Sequence, residues 1–526
     1  MKRILALLLL TLSFALPAAA QTTAALLDTL QHSAFNFFWT EANPSNGLIR
    51  DRNNGSTLAS IASVGFGLSA IPIGIDHGWV TRAQGRSRVR TTLTTFYTGP
   101  QGTGAAGTIG YKGFFYHFLN LNTATRYDTG VELSSIDSGL LFAGVMDARQ
   151  YFDDPGDADE IAIRLMADSL VQRVDWNFMR NFNPGVMMGW KPSFGFLNFG
   201  QWIGYNEAMI MYLEGLGSTS YQLPASAWNT WTSGYRYNTF YGQSFVTCPP
   251  LFTHQYSHCW VDFRNIADPY MRAKGLTYFD NSRRATLAQH AYCIANPIGA
   301  LGYADSLWGI TAGDGPFGYA ARGAPPNQND NGTITPTAAI SSIVFTPDES
   351  IGFVHFMWDH YRPTVWGVYG WKDGFNLSIG NWIATDVIGI DQGPILLMIE
   401  NYLNGKPWQR VTAHPAIQLG LTRAGFQPFV LGVNPAPHPA ALELGRVTPD
   451  PLTGNSRVSF RLSREGNVTL DLLDLQGRTL RLLASGPATA GEHSLTLGRD
   501  GLPAGIYWLR LRAAGTERHS RFVILP

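Results

Sequence analysis

Over roughly the first 430 residues, hydrophobic positions recur at helical rather than strand spacing. The pattern predicts helices over about 23–40, 57–75, 133–151, 157–173, 201–214, 283–296, 346–361 and 393–403, separated by long loops. In the third, Ile136, Leu140, Phe142, Val145 and Met146 occupy more than one face, as in a helix surrounded by others. Amphipathic helices joined by aromatic loops predict a toroid of helical hairpins, with one open end where loops build a cleft. The piece Ile109-Gly-Tyr-Lys-Gly-Phe-Phe-Tyr-His-Phe118 predicts hairpins at that mouth.

The period changes near residue 435. Arg457-Val-Ser-Phe-Arg-Leu462, Asn467-Val-Thr-Leu-Asp-Leu472 and Ile506-Tyr-Trp-Leu-Arg-Leu511 alternate polar and apolar residues. Turn signals separate them, which predicts a small antiparallel β-sandwich. The expected organisation is a leader over 1–20, a helical domain over 21–433, a Pro-rich linker over 434–443 and an all-β domain over 444–526.

Composition sharpens that division. Residues 21–443 hold 61 aromatic residues and a net charge of −6, whereas residues 444–526 hold four aromatics and a net charge of +4. Charged residues are only 14% of the chain and the formal charge is zero, so nucleic acid is a poor partner. Few charges and many aromatics suit a neutral, hydroxyl-rich ligand such as a sugar. They equally suit a large aromatic core. Three cysteines, Cys248, Cys259 and Cys293, are no disulfide framework, although the first two could pair. Met1-Lys-Arg, an apolar run to Leu16 and Pro17-Ala-Ala-Ala20 read as a signal peptide cleaved after Ala20. The expected location is therefore secreted, cell-surface or periplasmic.

Glycoside hydrolysis needs one protonated and one ionised carboxyl group across the scissile bond. Glu207, in Gln201-Trp-Ile-Gly-Tyr-Asn-Glu-Ala-Met-Ile-Met-Tyr212, has apolar neighbours and no nearby cation in sequence, which suits a general acid. Its alternative is an acid at a helix start. Asp137 and Glu132, around Ser134, are cleft acids or first-turn helix acids. Asp391 precedes the apolar run Ile395–Leu403, where Gly393 and Pro394 make a tight entry; it can face a cleft or form an Asx-turn. Trp371, Asp373 and Asn376 share a segment with the aromatic and amide composition of a sugar subsite. In Thr346-Pro-Asp-Glu-Ser350, Thr346 is expected to cap a helix that Pro347 opens, with Glu349 closing a capping box. His254, His258, Cys259 and Asp262 have only a weak metal pattern with no third ligand at diagnostic spacing, so no metal and no cofactor are expected.

Five segments now occur in order: Glu132-Leu-Ser-Ser-Ile-Asp137, Tyr205-Asn-Glu-Ala208, Gln255-Tyr-Ser-His-Cys-Trp-Val-Asp-Phe-Arg264, Thr346-Pro-Asp-Glu-Ser350 and Gly389-Ile-Asp-Gln-Gly-Pro-Ile-Leu-Leu-Met-Ile-Glu-Asn401. Together they resemble the glucoamylase-like domain family, which includes glycoside hydrolase family 144, the endo-β-1,2-glucanases. The resemblance spans roughly residues 24–425. It implies an (α/α)6 toroid, an inverting endo-acting attack on β-1,2-glucan, and a polysaccharide or oligosaccharide partner. It draws Tyr256, His258, Asp262 and Arg264 toward substrate contact; Tyr205 and Glu132 are further expected substrate contacts. With it, Glu207 is the expected acid and Asp391 the base, with Asp137 second. Rival expectations are a hydrolase or transglycosylase on another β-glucan, a polysaccharide lyase, and a non-catalytic glycan-binding protein. The Leu502-Pro-Ala-Gly-Ile-Tyr-Trp-Leu-Arg-Leu511 stretch resembles C-terminal sorting or Ig-like modules of secreted bacterial enzymes, implying a tail that meets secretion machinery on a monomeric enzyme.

Overall fold

The computed structural model describes residues 21–429 except 105, and residues 442–524 except 446, 448–451, 453–455, 463–464, 475–477, 490 and 514–515. The expected leader and most of the expected linker lie outside the described residues. The chain divides into two compact units, Met1–Val430 and Leu431–Pro526.

The first unit is helical. Its helices are α1 (Thr23–Thr40), α2 (Ile61–Asp76), α3 (Arg82–Thr98), α4 (Ser135–Tyr151) and α5 (Ala158–Gln172). There follow α6 (Trp176–Arg180), α7 (Met209–Gly217), α8 (Ser226–Ser233), α9 (Pro269–Lys274) and α10 (Tyr278–Ala295). The last five are α11 (Pro336–Ile340), α12 (Pro347–Val365), α13 (Gly389–Leu403), α14 (Lys406–Thr412) and α15 (Pro415–Arg423). Helices α7 and α11 are buried on every side and α2, α4 and α13 nearly so, whereas α3, α5 and α12 bury one face. The buried set packs in a closed circuit: α2 on α4, α4 on α7, α11 on α13 and α13 on α2. Between α7 and α11 the circuit runs through two 3-10 turns, Leu251–His254 and Tyr256–Cys259. There Ser257 accepts a hydrogen bond from the Ile210 N–H at 3.0 Å and Gln255 donates to the Ala338 carbonyl at 2.8 Å. This is an α/α toroid.

Small residues let the inner helices touch. A Cβ on Gly65 would sit 2.2 Å from the Leu140 carbonyl oxygen, and one on Gly144 would sit 2.0 Å from that of Gly65, so α2 and α4 cross backbone to backbone. The hairpins expected at the mouth are present: Gly110–Tyr111 pairs with Phe114–Tyr116, which pairs with Leu133–Ser134.

In the second unit one sheet orders strands 442–444, 456–462 and 491–497, and another orders 479–488, 466–473, 505–513 and 516–524. Residues from both sheets, among them Val458, Phe460, Leu470, Leu472, Leu509, Leu511 and Phe522, form its core. The alternation that predicted strands is the alternation of burial along 456–462.

Four local expectations change. The helix expected over 201–214 begins at Met209, because Gly204 turns the chain at φ +89° and Asn206 accepts a hydrogen bond from Ala208 N–H. The helix expected from 393 begins at Gly389, so Asp391 stands in its first turn and Pro394 lies inside it. Thr346 makes no cap hydrogen bond; its buried hydroxyl has no partner, so the expected box with Glu349 is not formed. Cys248, Cys259 and Cys293 are free thiols.

Candidate active site

Three of the inner helices point N-termini at one mouth, and each carries a carboxyl group there. Asp137 is in the first turn of α4, Glu207 stands two residues before α7, and Asp391 is in the first turn of α13. Unpaired N–H groups and the helix dipole favour negative charge at such positions.

Loops complete the group. His117, from the mouth hairpins, lies 2.7 Å from Glu132 through Nδ1 and 3.4 Å from Asp137 through Nε2. Burial opposes its charging, but Asp137, Glu132 and Asp51 outweigh burial and raise its pKa to about 9. For Glu132, burial raises the pKa, yet the hydrogen bond and charge of His117 bring the net shift below the ordinary value. Arg52 bridges Asp51 at 3.2 Å, Asp314 at 2.9 Å and Asp386 at 3.5 Å. The Asp314 N–H donates to Asp373 at 2.5 Å, and Asp373 is hydrogen-bonded in turn to Asp391. Tyr256 lies within electrostatic reach of both Asp391 and Glu207, and Glu207 within reach of Asp137. The circuit Glu207–Asp137–His117–Asp51–Arg52–Asp314–Asp373–Asp391–Tyr256 is therefore closed. Tyr319, half exposed, lies within reach of Asp391, Asp373, Asp51 and Glu207 across it.

Acids outnumber cations in this ring, and that sets its chemistry. Burial raises the Glu207 carboxyl; a backbone hydrogen bond opposes the rise and Asp137 adds to it, leaving the pKa at about 7. Burial raises both Asp373 and Asp391; the hydrogen bond from Asp391 opposes the rise of Asp373, leaving it at about 6, while the charge and hydrogen bond of Asp373 push Asp391 further up, so the pair holds one proton and one negative charge. One oxygen of each has no conventional donor. A half-buried neutral carboxyl and an ionised carboxyl pair across a mouth are the two charge states that acid–base hydrolysis requires.

The remaining expected residues divide. Trp371 is buried with its indole N–H unpaired, packed edge-on against Trp366. Asn376 is buried, donating to Asn331 and Thr333 and accepting from Ile379 N–H, so it braces the loop under Asp373. Tyr205 packs on His254 and Trp231 beneath Glu207. His258 is a core residue: it meets Ser282 at 3.1 Å among Phe263, Phe279 and Phe345, and burial lowers its pKa to about 3. Asp262 and Arg264 pair with each other at 2.7 Å, with Arg264 over Trp408. They line a separate cavity of about 560 Å³ with Asn404 and Gln409, at the C-terminal end of α13. The helix from Asp391 to Leu403 at that end rises about 18 Å. The sequence reading passed over Asp51, Arg52, His117, Asp314 and Tyr319. The only signal for them was polar loop composition, as in Arg50-Asp-Arg-Asn-Asn54.

Known proteins share this architecture. The Glycoamylase family model, described as "Putative glucoamylase", matches residues 200–415. A Bacteroides uniformis protein of that description is 34% identical, with a TM-score of 0.71 over 78% of this chain and 98% of its own. The endo-β-1,2-glucanase of Chitinophaga pinensis, solved with sophorotriose and glucose, is 28% identical, with a TM-score of 0.71 over 78% of this chain and all of its own. An exo β-1,2-glucooligosaccharide sophorohydrolase of Parabacteroides distasonis is 30% identical over 436 residues, 76% of this chain; the chain spans 58% of that relative's length. The chain belongs to the glucoamylase-like family that contains the family 144 β-1,2-glucanases, and its toroid is the family's (α/α)6 fold.

Proposed function

We propose that the first unit hydrolyses β-1,2-glucan by inversion, cutting within chains. The observation that carries this is Glu207, held near half-protonation at neutral pH opposite an ionised carboxyl pair. Glu207 protonates the glycosidic oxygen as the bond to the anomeric carbon breaks. Water adds to that carbon from the other face, and the Asp373–Asp391 pair takes its proton, with Asp391 nearest the helix dipole. Tyr319 offers an exposed ring for a sugar face. Substrate identity follows from the relatives. Endo action is the reading supported by the likeness to the endo-β-1,2-glucanase of Chitinophaga pinensis.

Product analysis on a panel of β-glucans tests this. Mixed oligosaccharides from β-1,2-glucan at early times, first released as the α-anomer, are expected. Disaccharide alone from the outset would make the enzyme exo-acting, a β first product would refute inversion, and unsaturated products would reveal a lyase. Export and an Ig-like sorting tail complete the proposal. The mature protein should begin at Gln21, and removal of residues 436–526 should leave turnover intact.

A further inference from the structure

Helix α13 contains a proline where its backbone should donate. Pro394 has no N–H, so the Ile390 carbonyl four residues earlier has no intrahelical donor. The Tyr256 hydroxyl fills the gap, donating to the Ile390 oxygen at 3.0 Å. Tyr256 is buried, edge-on to Phe66 and against Phe252, and burial keeps its phenol protonated and able to donate. Thr337 donates to the next carbonyl, that of Asp391, at 2.9 Å. The first turn of α13, which carries Asp391, is thus held by side chains from outside the helix.

The neighbouring residue holds the other wall. The Ser257 hydroxyl accepts from Ile210 N–H at 3.0 Å and donates to the Glu207 carbonyl at 3.3 Å. Tyr256 and Ser257 are adjacent on one rigid 3-10 segment. One grips the backbone beside Asp391 and the other the backbone of Glu207. We infer that Tyr256 and Ser257 act as positioning residues that set the separation of the acid from the carboxyl pair, Tyr256 by standing in for the missing N–H of residue 394.

This rests on the proposed roles of Glu207 and Asp391, but one readout does not need them. Hydrogen exchange over residues 391–396 should speed up in Tyr256→Phe. It should return toward the parent rate in Tyr256→Phe/Pro394→Ala, where the second substitution restores a backbone N–H to the helix. In kinetics, Tyr256→Phe should lower kcat by roughly ten- to a hundredfold with little change in KM, as misplacement of about 1 Å does. Pro394→Ala should restore much of that loss, and should restore none of the loss in Ser257→Ala. Tyr256→Phe with parental exchange and kcat overturns the inference. So does a Tyr256→Phe defect that Pro394→Ala leaves uncorrected, since that is the behaviour of a hydroxyl touching substrate. If the parent cleaves no β-1,2-glucan but the exchange pattern holds, the functional reading fails and the backbone role stands.

Discussion

The two ends of helix α13 treat buried charge in opposite ways. At its C-terminal end the acids are matched. Glu400 meets His77 and Gln31 at 2.9 Å and Asn404 at 2.7 Å; Asp147 pairs with Arg410, and Asp76 with Lys406 at 2.8 Å. At its N-terminal end Glu207, Asp373 and Asp391 have no cation within salt-bridge distance among the described residues; burial raises their pKa values as it raises that of Asp147, but without the paired arginine that opposes the rise there. Matched acids hold elements together. Unmatched ones keep or share a proton, which costs folding free energy and supplies chemistry.

The sharpest break of that comparison is Glu207→Gln. Turnover should fall at least about a hundredfold, the lower range for general acid catalysis. Its melting temperature should match the parent's at low pH and exceed it above pH 7. The sign follows from the shift: a carboxyl raised from 4.5 to about 7 lends stability below its unfolded pKa and loses it as pH rises through 7. Arg410→Met should do the reverse at the other end. It leaves Asp147 buried without its partner, which should cost about 3–5 kcal/mol in denaturant unfolding while kcat stays near the parent value.

Titration of the parent sharpens the contrast further. The kcat/KM profile should fall above about pH 7 as Glu207 loses its proton, and that limb should vanish in Glu207→Gln. On the acid side the fall belongs to the Asp373–Asp391 pair, and Asp391→Asn should remove it along with most turnover. The smallest effect belongs to Asp262→Asn. Its partner Arg264 is about half exposed, so the loss should be under about 1 kcal/mol, and activity should not change if this pair lies away from substrate.

Helices α1, α4, α5 and α12 were legible because each has apolar residues at helical spacing. Helix α3 was not: in Arg82–Thr98 the buried Val89, Leu93 and Phe96 make a narrow stripe among Arg and Thr residues. Glu207 was legible as an acid in apolar company, although the turn at Gly204 leaves it ahead of α7 rather than on a helical face. His117 was unreadable, because its high pKa comes from acids 15 and 20 residues later and from Asp51 on another loop. The motif around Tyr256 was legible as a motif, but not the hydrogen bonds its residues make inside the fold. Gln255, Tyr256 and His258 each hold a different neighbour, and Ser257 holds two stretches of the Glu207 turn.

By itself the sequence determined where hydrophobic periodicity changes from helical to alternating, and therefore two units of different architecture. It also determined which carboxyl groups lack local cations. Only the tertiary structure decided which acids meet. Charge interactions and hydrogen bonds act over a few ångströms in space between residues far apart along the chain, as between Arg52 and Asp386 or Tyr256 and Ile390. Asp262 and Asp391 look alike as motif acids, but the length of one helix puts one at the mouth and the other at the far end.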